Sequence, residues 1–167
     1  RRTIIVASWD AEEWGLVGST EWVEENKRAL IESAVAYINL DVAATGPNLS
    51  ATCTPGLSQV ITEACKKMNL EPPARIGVPG GGSDHVPFIE IAGVEVAGFG
   101  FHGASGVYHS ALDTPYLINH FLDPNYEFHS KATELAVNMM LLLSKKKTHV
   151  DGRAVWLRQM QRGLREH

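Results

Sequence analysis

Acidic and imidazole side chains gather at three places in this sequence, and their types suit water activation at a metal. Asp10-Ala11-Glu12-Glu13 ends an apolar run that starts at Thr3. Asp41 ends the run Tyr37-Ile38-Asn39-Leu40, and Tyr108-His109 follows the run from Val94 to Phe101. Glu, Asp and His supply the oxygen and nitrogen ligands that zinc takes in catalytic sites. Two zinc ions about 3.5–4 Å apart can clamp one water and activate it for hydrolysis. That water still needs a proton acceptor that is not itself tied to metal. Adjacent Glu12 and Glu13 could divide these tasks, one accepting the proton and one ligating. A strand sends adjacent side chains to opposite faces, so the division requires both to sit on the turn beyond the strand. Each residue also has an ordinary reading. An acidic cluster before a helix serves its dipole, Asp41 caps a turn, His109 is a hydrogen-bonded surface residue, and Tyr108 belongs to the core or its rim. The three segments together, each just after an apolar run, favour a metal site.

The elements that must position these residues follow from periodicity. Thr3 to Trp9 reads as a strand buried on both faces, as do Val35 to Val42 and Val94 to Phe101. A helix is expected from about Ser19, as N-cap, to Ser33, with Glu21, Glu24 and Glu25 near the positive end of its dipole. Gly46 to Ser50 reads as loop and Ala51 to Thr54 as a short strand. Leu57 to Asn69 has helical spacing, Glu71 to Gly82 is loop rich in Pro and Gly, and Val86 to Ala92 is a short helix. Asp123-Pro124 signals a helix start, cap then Pro at the first helical position, with the helix running to about Ser144. Arg153 to Arg165 reads as a last amphipathic helix. Alternating strands and helices predict a three-layer α/β/α fold with a mainly parallel central sheet. In such sheets ligand sites form beyond the carboxyl ends of the strands, where all three chemical segments lie. A central strand so near the first residue leads to the expectation that the sheet is incomplete at the N-terminus, with sequence preceding Arg1.

Composition narrows the classes. The chain has 167 residues, 44% hydrophobic and 20% charged, an ordinary globular balance. No apolar run exceeds five residues, which excludes a membrane span read from the sequence. Cys53 and Cys65 are too few for a disulfide scaffold and read most simply as core thiols. The net charge of −4 hides an asymmetry, since seven Lys or Arg and only two acids lie within 145–167. The body, residues 1–144, is acidic and carries no nucleic-acid footprint. We therefore divide the chain into a body, 1–144, and a basic tail or helix, 145–167. Asn48-Leu49-Ser50 fits a glycosylation acceptor, which matters only for a secreted chain. Nothing in the sequence fixes a compartment.

Arg1-Arg2-Thr3 through Ser8-Trp9-Asp10-Ala11-Glu12-Glu13-Trp14-Gly15, followed by Gly18-Ser19-Thr20-Glu21-Trp22, closely resembles the co-catalytic zinc exopeptidases of the glutamate carboxypeptidase II group. The likeness continues through Glu24-Glu25-Asn26, Ala36-Tyr37-Ile38-Asn39, Asp41 and Cys53-Thr54-Pro55. It resumes at Gly82-Ser83-Asp84-His85-Val86-Pro87-Phe88 and Tyr108-His109-Ser110. The last-but-one block is typical of the wider aminopeptidase family. The resemblance implies a peptidase domain with two zinc ions per complete site. By position it implies Glu12 as general base, Glu13 and His109 as ligands of one zinc, and Asp41 as ligand of the other. It implies Tyr108 as donor to the tetrahedral oxyanion, and Ser83 and Asp84 near the substrate. His85 is not implied as a ligand.

Two departures qualify what the resemblance implies. The family's remaining ligands, a His and a bridging Asp, belong upstream of the first strand, so three expected ligands lie in this chain. His102, His120, His129, His149 and His167 have no spacing that marks them as substitutes. The glutamate-preferring members carry arginines at positions that correspond to Gly98 and Gly100. Without guanidinium forks a bidentate carboxylate clamp is lost, which shifts the expected peptide substrate toward a neutral side chain. The implied activity is hydrolysis of a terminal peptide bond. The alternative is a non-catalytic receptor or binding module on the same fold, like the transferrin receptor, against which the retained Glu12, Glu13, Asp41 and His109 count. The resemblance leaves open a homodimer, and a membrane-anchored or secretory-pathway location, for a longer parent.

Overall fold

The computed structural model describes residues 2–145. The expected helix from Arg153 to Arg165 and most of the basic tail lie outside the described residues. The sheet has three strands, β1 (Tyr37–Asn39), β2 (Asn48–Cys53) and β3 (Val96–His102), in the order β1-β3-β2. Helices are α1 (Val17–Ser33), α2 (Ser58–Lys67), α3 (Val86–Glu90), the short α4 (Pro115–Leu117) and α5 (Glu127–Leu143), with a π turn over Ile118–Leu122 after α4.

The period of two along β3 builds the layers. Ala97, Phe99 and Phe101 join the cluster formed with α2 and α5, where Ile61, Ala64, Cys65, Leu135 and Met139 are fully buried. Val96 turns the other way, into a second cluster with Val23 of α1, Phe88 of α3, Ala92 and Val94, edged by Trp9, Trp22 and Tyr37. Helices thus cover both faces of the sheet, the three-layer α/β/α arrangement. Cys53 and Cys65 are both free and buried, and burial, helped by Glu95, pushes the Cys53 thiol up to about 11.

The strand pairings are one of each kind. β1 runs parallel to β3 and β2 antiparallel to it, so the sheet among the described residues is mixed. The reversal follows from the connection over residues 40–47, too short for a crossover between parallel strands. Gly46 closes that turn against Gly103, where a Cβ would lie 2.3 Å from the Gly103 Cα. β2 accordingly begins at Asn48, inside the stretch expected to be loop.

The largest correction concerns Thr3 to Trp9, which forms no strand. Ile4, Ile5 and Val6 are 52%, 69% and 90% exposed. A strand needs a neighbour to satisfy its backbone, and among the described residues nothing pairs with this segment. An apolar run marks a segment that wants cover, and does not supply it.

Two caps also differ. Ser19 lies inside α1, because Leu16 takes the left-handed turn (φ 60°) that starts the helix two residues earlier. α5 begins at Glu127 rather than at Pro124, yet the Asp123 carboxylate still caps it. Asp123 Oδ2 accepts the backbone N–H groups of Phe128 (3.0 Å) and His129 (2.9 Å) and lies 2.7 Å from His129 Nδ1. Burial pushes the Asp123 carboxyl up, but the His129 side chain and the backbone N–H groups of His129, Phe128 and Glu127 outweigh it and hold it below the usual range. A carboxyl depressed by folding stabilises above its unfolded pKa, and that contribution is lost as pH falls through the folded value. Asp123→Asn should therefore cost about 1–3 kcal/mol at pH 7. Urea midpoints should converge between variant and wild type as pH falls below about 4, and a constant gap would show that Asp123 is not the titrating cap.

Candidate active site

The turn after Trp9 places two carboxylates side by side. Glu12–Trp14 forms a single 3-10 turn, entered through Ala11 in the left-handed region (φ 55°) and left through Gly15 (φ 102°). Gly18 then packs on the backbone of Asp10, where any Cβ would stand 2.4 Å from the Asp10 carbonyl oxygen. The spacing of Gly15 and Gly18 thus fixes a tight reversal that only glycine permits at both points. Glu12 and Glu13 sit on this turn, the placement their division of labour requires.

Three other loops approach it. The Glu13 Oε1 and His109 Nε2 atoms are 2.8 Å apart. His109 has φ 56°, and its ring stacks on Tyr108 with centroids 3.9 Å apart. Asp41 follows β1, and its Oδ2 accepts a hydrogen bond from the Ser83 hydroxyl at 2.7 Å. Asp84 Oδ1 accepts one from the buried Ser19 at 2.6 Å. Glu12 alone among these four carboxylates receives no donor from the described residues. Its carboxyl is pushed up by partial burial first, then by Glu13, Asp84 and Asp41, with His109 opposing. All four acids therefore share one electrostatic field. Of six non-glycine residues in the left-handed region among the described residues, Ala11, Val42 and His109 belong to or adjoin this cluster. Left-handed backbone is costly for a β-branched residue such as Val42, and such strain concentrates at functional sites.

A shallow cleft of about 240 Å³ extends from Asp41 over the face of β3 that carries Gly98 and Gly100. Asn39, Ser83, His85 and His102 line it as well. His102 shares the face of Gly98 and Gly100 by strand period, the signal that would have marked it from sequence. Its ring stands over Gly100, 2.8 Å from where a Cβ would be. A larger hollow along α1, bordered by Glu24, Lys27, Arg28 and Ile31, shares none of these residues.

The donor types fit zinc. Two ligands each 2.0–2.1 Å from a tetrahedral ion lie about 3.3 Å apart, so Glu13 and His109 need to part by only about half an ångström. Asp41 stands separately, and no group of three or more His, Cys, Asp or Glu among the described residues has the proximity to enclose a metal. The structure brings Glu13 to His109, Asp41 to Ser83 and Asp84 to Ser19, while Tyr108 is 63% exposed beside them.

Residues 1–127 match the profile of peptidase family M28. Over 147 residues the chain is 40% identical to the probable glutamate carboxypeptidase LAMP1 of Arabidopsis thaliana, covering 77% of this chain and 21% of the relative. It is 32% identical over 176 residues to aminopeptidase NAALADL1 of Mus musculus, covering 86% of this chain and 24% of the relative. An aminopeptidase from Aneurinibacillus sp. strain AM-1 has the same fold, with a TM-score of 0.68 at 20% identity over 86% of this chain and 34% of that structure. The chain thus spans about a fifth of the length of these curated relatives.

The two cleft glycines should respond differently to a methyl group. At Gly98 a Cβ meets Thr52 Oγ1 at 3.5 Å, ordinary contact, whereas at Gly100 it meets the Val42 carbonyl oxygen at 2.9 Å. Gly98→Ala should stay within about 1 kcal/mol of wild type. Gly100→Ala should lose about 1–3 kcal/mol by overpacking. Thermal melts of both variants check this, and equal losses would contradict the placement of the Gly100 face against Val42 and His102.

Proposed function

The chain belongs to peptidase family M28, and from that premise we propose that the protein is a zinc-dependent exopeptidase hydrolysing a terminal peptide bond. The observation that carries the reading is the unequal treatment of four neighbouring carboxylates. Glu13, Asp41 and Asp84 each contact a donor or an imidazole, and Glu12 is left with none among the described residues. A group that must take a proton from water needs an unoccupied lone pair and a raised pKa. Glu12 has both.

Glu13 and His109 would hold one zinc, and Asp41 would contribute to a second. When bound, zinc supplies Lewis acidity that lowers the pKa of a water and polarises a carbonyl. Glu12 accepts the proton of the attacking water and later delivers it to the leaving amine. The Tyr108 hydroxyl, on an exposed ring beside His109, donates to the oxyanion of the tetrahedral intermediate. Ser83 and Asp84 flank the substrate, whose side chain enters the cleft floored by Gly98 and Gly100. Among the described residues that floor offers no guanidinium or ammonium group, which supports a peptide with a neutral side chain.

In the zinc-loaded protein, Glu12→Gln should retain zinc while kcat falls about 10²–10⁴-fold, the range for losing a general base. Metal analysis alongside steady-state kinetics checks this, and near-normal turnover in the zinc-loaded variant would remove Glu12 from that role. The 167-residue chain by itself offers three of the implied ligands, so it should hold zinc weakly and turn over little. Two tightly bound zincs per chain with chelator-sensitive peptidase turnover would overturn that count.

A further inference from the structure

The cleft over β3 has its polar groups engaged on one side and free on the other. On the side of Asp41 the polar groups bind protein. Asn39 Nδ2 donates to Ser83 Oγ (2.9 Å), Ser83 donates to Asp41 Oδ2 (2.7 Å), and His85 Nε2 donates to the Gly80 carbonyl oxygen (2.8 Å). On the β2 side, Ser50 and Thr52 stand in register with Gly100 and Gly98, and strand period puts both side chains on the cleft face. Thr52 Oγ1 lies 3.5 Å from where a Gly98 Cβ would be. His102 closes the end of the same face, two residues beyond Gly100 on β3. The side chains of Ser50, Thr52 and His102 make no hydrogen bond with any other described residue.

The two glycines decide what these three groups face. With no side chain at 98 or 100, the floor between the β2 hydroxyls and the imidazole is bare backbone. The His102 ring folds back over it, with Nε2 and Cε1 each 2.8 Å from where a Gly100 Cβ would be. A hydroxyl both donates and accepts, and a neutral imidazole carries one donor and one acceptor. A primary amide offers two N–H donors and a carbonyl acceptor, so it matches this set whichever ring nitrogen of His102 bears the proton. An acidic side chain would bring acceptors alone and would meet Asp41 across the cleft, where among the described residues no Lys or Arg offsets it. An alkyl or thioether side chain would displace water from the three polar groups and leave them unpaired. A basic side chain would find hydroxyls and an imidazole where it needs a carboxylate. We propose that His102 is a specificity-determining residue and that, with Thr52 and Ser50, it selects peptides whose side chain beside the scissile bond ends in a neutral amide. This rests on the exopeptidase reading given above, which seats that side chain over Gly98 and Gly100.

The experiment measures kcat/KM of the zinc-loaded protein on four peptides that differ only in that side chain, Gln, Met, Glu or Lys. Gln and Met are close in length, so their ratio reads the amide. Wild type should favour Gln over Met by about 10-fold, as one or two net hydrogen bonds give, and should favour Gln over Glu and Lys as well. His102→Phe keeps a ring over Gly100 and removes both nitrogens, and the Gln-over-Met ratio should fall to about 3-fold or less. His102→Gln returns a donor and an acceptor and should recover part of the ratio. Thr52→Val keeps the shape of the side chain and should lower the ratio too, which keeps the proposal testable should His102→Phe fail to fold. A structural defect would slow all four peptides together and leave the ratio unchanged. Equal rates on Gln and Met in wild type, or a preference for Glu or Lys, would overturn the substrate class and leave the proposed function standing. A wild-type ratio in His102→Phe, or in Thr52→Val if His102→Phe does not fold, would overturn the recognition role. A zinc-loaded wild type that hydrolyses none of the four would overturn the proposed function, and this inference with it.

Discussion

Four carboxylates converge at one end of a small sheet, and the surrounding structure answers their mutual repulsion. Partial burial first, and then the like charges of Glu13, Asp84 and Asp41, push the Glu12 carboxyl up against the opposing His109. Among the described residues no Lys or Arg lines the cleft beside Asp41. The compensation is made of hydroxyls, which stabilise a carboxylate without cancelling its charge, and of one imidazole. Ser83 serves Asp41, Ser19 serves Asp84, and His109 meets Glu13. A site built this way keeps a strong negative potential, the condition under which a divalent cation is held rather than repelled.

That arrangement places demands on the backbone. The acids must leave their elements abruptly, and the chain does so at left-handed residues. Ala11 precedes Glu12, Val42 follows Asp41, and His109 is itself left-handed. Such positions cost free energy and persist only where their surroundings over-determine them. Gly18 against Asp10, and Gly46 against Gly103, show the required closeness, because neither position could hold a side chain without displacing backbone.

Much of this was legible in sequence, for identifiable reasons. The helical stripes of α2 and α5 and the alternation along β3 have strong periods, so they fall where the pattern puts them. The chemical segments follow apolar runs, and a turn forced by Gly15 and Gly18 is written in residue types. The Thr3 to Trp9 segment was not legible, because apolarity reports a need for burial and not the presence of a neighbour. β2 begins earlier than read, since Asn48 and Ser50 are polar residues on exposed positions of a strand. Asp123 kept its capping role but at a helix start several residues later, because a carboxylate reaches N–H groups beyond the adjacent turn. The places of His102 and Asn39 in the cleft were not legible, because they depend on what these residues face across strands, which no local window contains.

The two apolar clusters divide the work between stability and site. The α2–α5 face is broad and made of small and aliphatic residues at helical spacing, and it anchors β3 from behind. The opposite face is thin. α1 buries only Ser19 and Val23, and one of those two is the hydroxyl that holds Asp84. Its remaining grip comes from aromatic contacts, Trp9 with Trp22 and Tyr37 with Phe88, the same rings from which the hydrogen bonds to Asp41 start. Packing on this side therefore cannot be separated from the orientation of the acids. On this side the packed rings are joined to Asp41 by hydrogen bonds, Trp9 to Tyr37, Tyr37 to Asn39, Asn39 to Ser83 and Ser83 to Asp41, whereas the aliphatic side chains behind β3 can make none.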